Sequence, residues 1–333
     1  MAKQLQLRLE YQQNEVADEV SALTAVVRPI LQAVLFAVKQ DVVKEAGGYE
    51  NVKLRMLPRL YRPGDGDCGI CFEYAVHDAI RRGDPHVLDR LVEAMHNCKL
   101  FGNVPQSILF GAEKTGAVQL INTAKEILTD YSDLLYGSKG RPVKLKRHID
   151  RIATAFRLPS ARPALPYSIS GLWKADLFLG FMENDYWVGT TVKINADHLE
   201  GARGLRIGIV PARHGKTDSI KMDDKRNLIV CPLPHDQSFM EMFYQSWGIV
   251  QQFIAADAQL PKEVFLPRPP ERQVAKYLFD RREFPVVEVI DALLPLAQPE
   301  LLKTTEQTPE VVFRREGQSI TGSIIAPMAK INK

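Results

Sequence analysis

Two strand-length segments joined by a short polar link constrain this chain more than any other feature in it. They are WKADLFLGF at 173–181 and YWVGTTVKIN at 186–195, linked by Met182-Glu183-Asn184-Asp185. Both are rich in β-branched and aromatic residues, and so short a link reads as a hairpin connection. Alternate residues of a strand share a face. Leu177 and Leu179 therefore take one side of the first strand, and Lys174, Asp176 and Phe178 the other. On the second strand Val188, Thr190, Val192 and Ile194 oppose Trp187, Gly189, Thr191 and Lys193. Folding the hairpin sets Asp176 beside Thr191 and Lys193. A carboxylate and an ammonium on one strand face pack poorly in a core, but they suit a site for a metal ion and water.

Strand patterns continue at LRIGIVP (205–211) and NLIVC (227–231). Ahead of the hairpin the chain reads as helix. Val16, Val20, Leu23, Val26, Val27, Ile30, Leu31 and Val34 recur at helical spacing over 14–46, with Pro29 as a kink and Gly47-Gly48 as the stop. One short strand is expected at 52–56. Further helices are expected at 70–82, at 85–98 after Asp84, and at 113–136. Pro159, Pro163 and Pro166 make 157–170 an extended connection. Beyond the strands come helices at 237–256, 269–281 and 286–295, then a polar tail with a small hairpin near Arg315-Gln318. Helices, then strands, then helices predict an α+β fold, a mixed sheet flanked by helices, rather than alternating βα units. The expected division is a helical N-terminal region over 1–62, a core over 63–260, and a C-terminal helical extension with a polar tail over 261–333.

Apolar residues make up 45% of the 333 and charged residues 25%, the balance of a globular chain with a sizeable core. The strongest apolar run, Ile30 to Val38, is broken by Gln32 and is short for a membrane span. MAKQLQLRLEYQQNE lacks the apolar centre of a signal peptide, so a cytoplasmic protein is expected. Four cysteines make no disulfide framework, and the Cys68/Cys71 pair has no second pair to complete a zinc site. The net charge of +3 is unevenly spread. Lys139, Arg141, Lys144, Lys146 and Arg147 crowd into KGRPVKLKRHIDR, and Arg206, His214 and Lys216 follow in the strand region. Such groups suit contact with phosphates, although an isolated basic run is more often a solvated face.

The stretch GDGDCGICFEYAVHDAI at 64–80 supports two chemistries. Cys71 stands at a helix start, where the dipole lowers a thiol pKa. Cys68-Gly-Ile-Cys-Phe72, with Gln245-Ser246-Trp247-Gly248, is similar to segments of papain-like cysteine peptidases. Three features oppose that reading. Asp65 stands six residues before Cys71, where an oxyanion-binding glutamine belongs, and an anion there opposes the charge that develops. His214 lies in a polar basic loop, and His235 sits between Pro234 and Asp236. Gln245 replaces the orienting asparagine inside a helical pattern. Small cysteines packing where a helix begins are the simpler account.

The second chemistry comes from Glu73 on that helix taken together with the hairpin. Helix-Glu, strand-Asp, strand-x-Lys, strand resembles the PD-(D/E)xK, or restriction-endonuclease-like, nuclease superfamily. The resemblance covers about residues 64–235 and implies a restriction-endonuclease-like core with Glu73, Asp176 and Lys193 as the catalytic residues. It implies Mg²⁺ (or Mn²⁺) held by Glu73 and Asp176, with Lys193 orienting the attacking water. Thr191 departs from the pattern, standing where the family has Asp or Glu. With Lys174 it is expected to be accessory. Lys139, Arg141, Lys144, Lys146, Arg147, Arg206, His214 and Lys216 become the expected nucleic-acid contacts. The implied function is a Mg²⁺-dependent endonuclease of double-stranded DNA, in restriction or phage defence. It would act as a homodimer for which the 14–46 helix is a candidate interface. The rivals are a cysteine peptidase using Cys71 and a nucleic-acid-binding module whose site has decayed at Thr191.

Overall fold

The computed structural model describes residues 5–6, 18–38, 40–59, 67–110, 124–135, 142–235, 239–260, 262–297, 310–315 and 318–323. Its larger sheet contains β2 (Pro105–Leu109), β3 (Asp133–Leu134), β4 (Val143–Lys144), β5 (Leu177–Phe181), β6 (Tyr186–Val192), β7 (Leu205–Pro211), β8 (Lys221–Asp223) and β9 (Leu228–Leu233). A smaller sheet joins β1 (Leu5–Gln6) to the C-terminal hairpin of β10 (Glu310–Arg315) and β11 (Gln318–Ser323).

The expected hairpin is the middle of the large sheet. Leu177 faces Thr190 and Phe181 faces Tyr186 in an antiparallel register. The path of the sheet is β2-β5-β6-β7-β9-β8. Strands β6, β7 and β9 run parallel, while β2, β5 and β8 are antiparallel to their neighbours. Mixed pairing of this kind, flanked by helices, is the expected fold class. The short β3 pairs with β4 and lies parallel to the start of β6.

Alternation sorts the two faces of the sheet as the pattern predicted. Leu177, Leu179, Val188, Val192, Ile207 and Ile209 join one core cluster with the long helices. Phe178, Trp187, Leu205 and Leu228 join a second cluster with Ile149, Ile152 and Leu172. The first layer holds α1 (Asp18–Phe36), α3 (Asp67–Arg82), α4 (Pro85–Asn97), α6 (Phe239–Ala255), α7 (Pro269–Asp280) and α8 (Val286–Leu293); α2 (Gln40–Ala46) follows α1. The second layer is α5 (Ile149–Arg157) with short 3₁₀ turns.

Helix α1 is the centre of the first layer, with Leu23, Val27, Ile30 and Leu31 fully buried against α3, α6, α7 and α8. Its length and apolarity would allow a membrane span, and 72% of that apolar window is buried inside the protein. A helix apolar on nearly all sides belongs in a core. That burial corrects the expectation of a subunit interface on this helix, because its apolar residues are already covered within the chain.

Several local expectations change. The 14–46 helix breaks after Phe36 and resumes as α2, which stops at Gly47 and Gly48 with φ of 79° and 138°. Residues 52–56 form no strand. A 3₁₀ turn at Leu54–Arg59 replaces it, because its bonding partner is the 282–285 loop rather than a sheet edge. The 157–170 connection is wound into 3₁₀ turns at Pro159–Ala164 and Tyr167–Ile169. Of the helix expected over 113–136, residues 113–123 and 136 lie outside the described residues, 124–127 are helical, and Asp133–Leu134 is strand β3. The hairpin near Arg315-Gln318 is present as β10 and β11.

Candidate active site

Three separate elements deliver Glu73, Asp176 and Lys193 to one point. Asp176 immediately precedes β5, and its backbone is held from both sides. Its N–H donates to Thr190 O at 2.9 Å, and its carbonyl accepts from Phe110 N at 2.8 Å. The side chain is fully buried. Its Oδ2 accepts from Val192 N at 2.9 Å, Thr191 Oγ1 at 3.1 Å and Lys193 Nζ at 2.7 Å. A completely buried carboxylate requires such partners, since an uncompensated charge there would cost several kcal/mol or be neutralised.

Lys193 lies one residue past the end of β6. Its N–H donates to Ile209 O of β7 at 2.9 Å, so the parallel neighbour fixes where its side chain starts. The ammonium lies 3.7 Å from Glu73 Oε1 as well, and the side chain keeps 28% exposure, so it forms the rim of the site. Burial alone would push the ammonium toward its neutral form. The carboxylates of Asp176 and Glu73 outweigh that cost and raise its pKa, which keeps the charge on at neutral pH.

Glu73 comes from α3, where the preceding residue, Phe72, packs against Phe239 and Phe243 of α6. One turn on, His77 Nδ1 lies 3.0 Å from Ser107 Oγ of β2. Burial, helped by Arg81, lowers the His77 pKa to about 4, so the ring is neutral at physiological pH.

The three residues meet at the end of the sheet where the parallel strands β6, β7 and β9 finish. Beyond the carboxyl ends of parallel strands is where open sheets place ligand crevices. His214 and Lys216 are exposed in the turn after β7, at this same end. His235 follows β9, with its ring centroid 5.4 Å from that of His214 and stacked at 5.3 Å on Tyr244 of α6. Arg90 of α4 ties this rim down by donating to Pro232 O at 3.2 Å and to the carbonyl of Asp218. Lys174 pairs with Glu200, whose pKa is lowered by Lys174 foremost and also by Lys193.

Other expected contacts lie elsewhere. Arg206 sits near the start of β7, toward the other sheet end, and donates to Asn227 Oδ1 at 2.9 Å. Lys144 pairs with Asp133 at 2.8 Å, and Lys146 lies 3.9 Å from Asp130. Because β3 and β4 attach beside Tyr186 and Trp187, these lysines and the exposed Arg147 lie about 20 Å from Lys193 along β6, at 3.3 Å per residue. Lys139 and Arg141 lie outside the described residues. Glu183 accepts from the Asn103 and Val104 amides at the hairpin end.

A cysteine peptidase needs an accessible thiolate. Cys71 is fully buried, with Sγ 3.9 Å from Ile30 O, and burial pushes the Cys68 thiol up to about 11. Trp247 is buried in α6, and Gln245 is engaged by Arg268 and Glu241. The sequence reading passed over Glu200 and Ser107. Glu200 follows Lys193 by seven residues in a polar loop and carries no local signal of its own.

The donor set at the site is two carboxylates. Among the described residues no group of three or more His, Cys, Asp or Glu side chains is placed to hold a metal. Mg²⁺ is compatible with two carboxylates, because it retains several waters and takes phosphate oxygens from the substrate. No protein-family model, curated protein or solved structure matches this chain.

Proposed function

We propose that the protein is a metal-dependent nuclease that hydrolyses phosphodiester bonds of DNA, with a restriction-endonuclease-like core. The observation that supports this most is the convergence of Glu73, Asp176 and Lys193, from a helix and two strands, at the carboxyl end of a parallel strand group. Glu73 and Asp176 would hold Mg²⁺ or Mn²⁺, which when bound supplies charge to the scissile phosphate and acidifies a water. Lys193 moves its ammonium from the carboxylates toward the phosphate and stabilises the negative charge that grows there. Asp176 is oriented by the Val192 amide and the Thr191 hydroxyl. Exposed His214 and Lys216 contact flanking phosphates from the rim. Action in restriction or phage defence, and as a homodimer, belongs to the same proposal.

Incubation with plasmid DNA and Mg²⁺ tests it. Cleavage is expected from the wild-type protein and is expected to be lost in both Asp176→Asn and Lys193→Ala. Cleavage that survives both substitutions would sink the assigned site. One observation favours a second reading, a nucleic-acid-binding module without catalysis. Thr191 spends its hydroxyl hydrogen on Asp176, and Lys193 closes on both carboxylates. DNA binding without cleavage in Mg²⁺ or Mn²⁺ would establish that alternative.

A further inference from the structure

On the sheet face that carries the second cluster, two aromatic rings are each backed by a guanidinium. The Arg162 guanidinium stacks 3.7 Å above the Trp173 ring, and Lys174 approaches the same ring at 5.3 Å. The Arg203 guanidinium lies over the Tyr167 ring. The backbone holds this arrangement. Arg162 Nε donates to Ala155 O at 3.1 Å, and Gly171 N donates to Arg203 O at 2.9 Å. The loops approach so closely that a Cβ on Gly171 would lie 2.4 Å from Ala202 Cβ. The strip begins with Arg203, two residues ahead of Leu205 at the start of β7, and runs toward the candidate site. Trp173 and Lys174 directly precede Asp176 by three and two residues, and Lys174 meets Glu200, which in turn feels Lys193.

Tyr167 is the most exposed ring of this strip. The residue is 65% exposed although Arg203 covers one side of its ring. An exposed ring with a cation behind it is built to accept a second flat group, and the neighbouring charges choose an anionic one. Arg162, Arg203 and Lys174 outnumber the acids of the adjoining loop, Asp197 and Glu200. A polymer that offers flat π-faces and negative charges at regular spacing is a nucleic-acid strand. Base faces are hidden within a duplex and accessible where the strand is unpaired.

We propose that Tyr167, with Arg203 behind it, stacks a base of an unpaired stretch of DNA, directing the strand past Trp173 and Lys174 toward Lys193. This inference rests on the nuclease reading and specifies its substrate as DNA with an unpaired segment a few nucleotides from the cleaved bond. Binding is to be measured by fluorescence anisotropy of the full chain in a chelator, with labelled oligo-dT and a blunt duplex of equal length. The wild-type protein is expected to bind oligo-dT more tightly than the duplex. Tyr167→Ala should weaken oligo-dT binding by about fivefold to a hundredfold and leave duplex binding unchanged, while Tyr167→Phe retains it. A duplex preference, or equal affinities of wild type and Tyr167→Ala for oligo-dT, would overturn the proposal. Because Tyr167 is exposed, its substitution is expected to leave the melting temperature unchanged, so loss of binding reports contact and not unfolding. Without metal the assay is independent of catalysis. Tyr167-dependent binding without any cleavage would defeat the nuclease reading alone, and cleavage indifferent to Tyr167 would defeat the stacking site alone.

Discussion

At Asp176 a single carboxylate oxygen satisfies a backbone amide, a hydroxyl and an ammonium inside a closed protein interior. Replacing it with a small apolar residue strands three donors, so Asn is the fairer substitution for probing chemistry. Thr191 carries the sharper test of the site. A carboxylate at that position, as in Thr191→Asp, would repel Asp176 in the empty site and add a ligand in the filled one. The variant is expected to melt below wild type in a chelator and to gain more from Mn²⁺ than wild type does, as thermal shifts would measure. An equal gain would mean that no metal binds between these residues. His77 supplies a pH dependence. Its folded pKa of about 4 lies below the ordinary value of 6.5, so the unfolded chain takes up the proton first. Stability is then fully present above pH 6.5 and is lost as pH falls toward 4. At roughly 1.4 kcal/mol per pH unit the loss is at most about 3 kcal/mol. Urea titrations across that window should show the slope, and His77→Gln should flatten it. The facing of Asp176, Thr191 and Lys193 was legible from alternation alone, since strand geometry leaves two choices and the flanking leucines select one. His77 meeting Ser107 was not legible, because that pair depends on α3 crossing β2.

Elements with strong periods appear where their patterns put them. Strand β7 matches its expected bounds, and α4 starts at Pro85 behind an Asp84 cap whose side chain accepts from His86 N at 3.0 Å. Short or interrupted elements do not. PQSIL at 105–109 begins with proline and lacks alternation, yet it forms β2 because β5 presents an edge with which it registers. The 52–56 segment has strand-like residues and finds no edge, so it coils into a 3₁₀ turn. Helix α1 makes the element-scale prediction. Leu23 is fully buried and its carbonyl accepts from Ser246 Oγ of α6 at 3.0 Å, so shortening the side chain leaves a cavity between two central helices. Leu23→Ala is expected to cost about 2–5 kcal/mol, read as a lower urea midpoint with an unchanged slope. A cost below 1 kcal/mol would mean that the helix is not packed as described.

Across the whole molecule, one hydrophobic cluster runs from Val20 to Leu293 and draws on the N-terminal helices, the sheet and the C-terminal helices together. The segments outside the hairpin region therefore share in supporting the site: α1 and α6 form the bed on which α3 carries Glu73. The sequence by itself determined the mixed-sheet class, the hairpin and the shared face of Asp176, Thr191 and Lys193, because these follow from local periods and a short link. Tertiary structure decided the rest. Glu73 is 103 positions before Asp176 in the chain, and it meets Lys193 because α3 packs on one face of the sheet. The same packing buried Cys71, turned an apolar helix into core, and set Lys144 and Lys146 at the far end of β6. These outcomes depend on which distant surfaces bury against each other, and no local period in the chain encodes that choice.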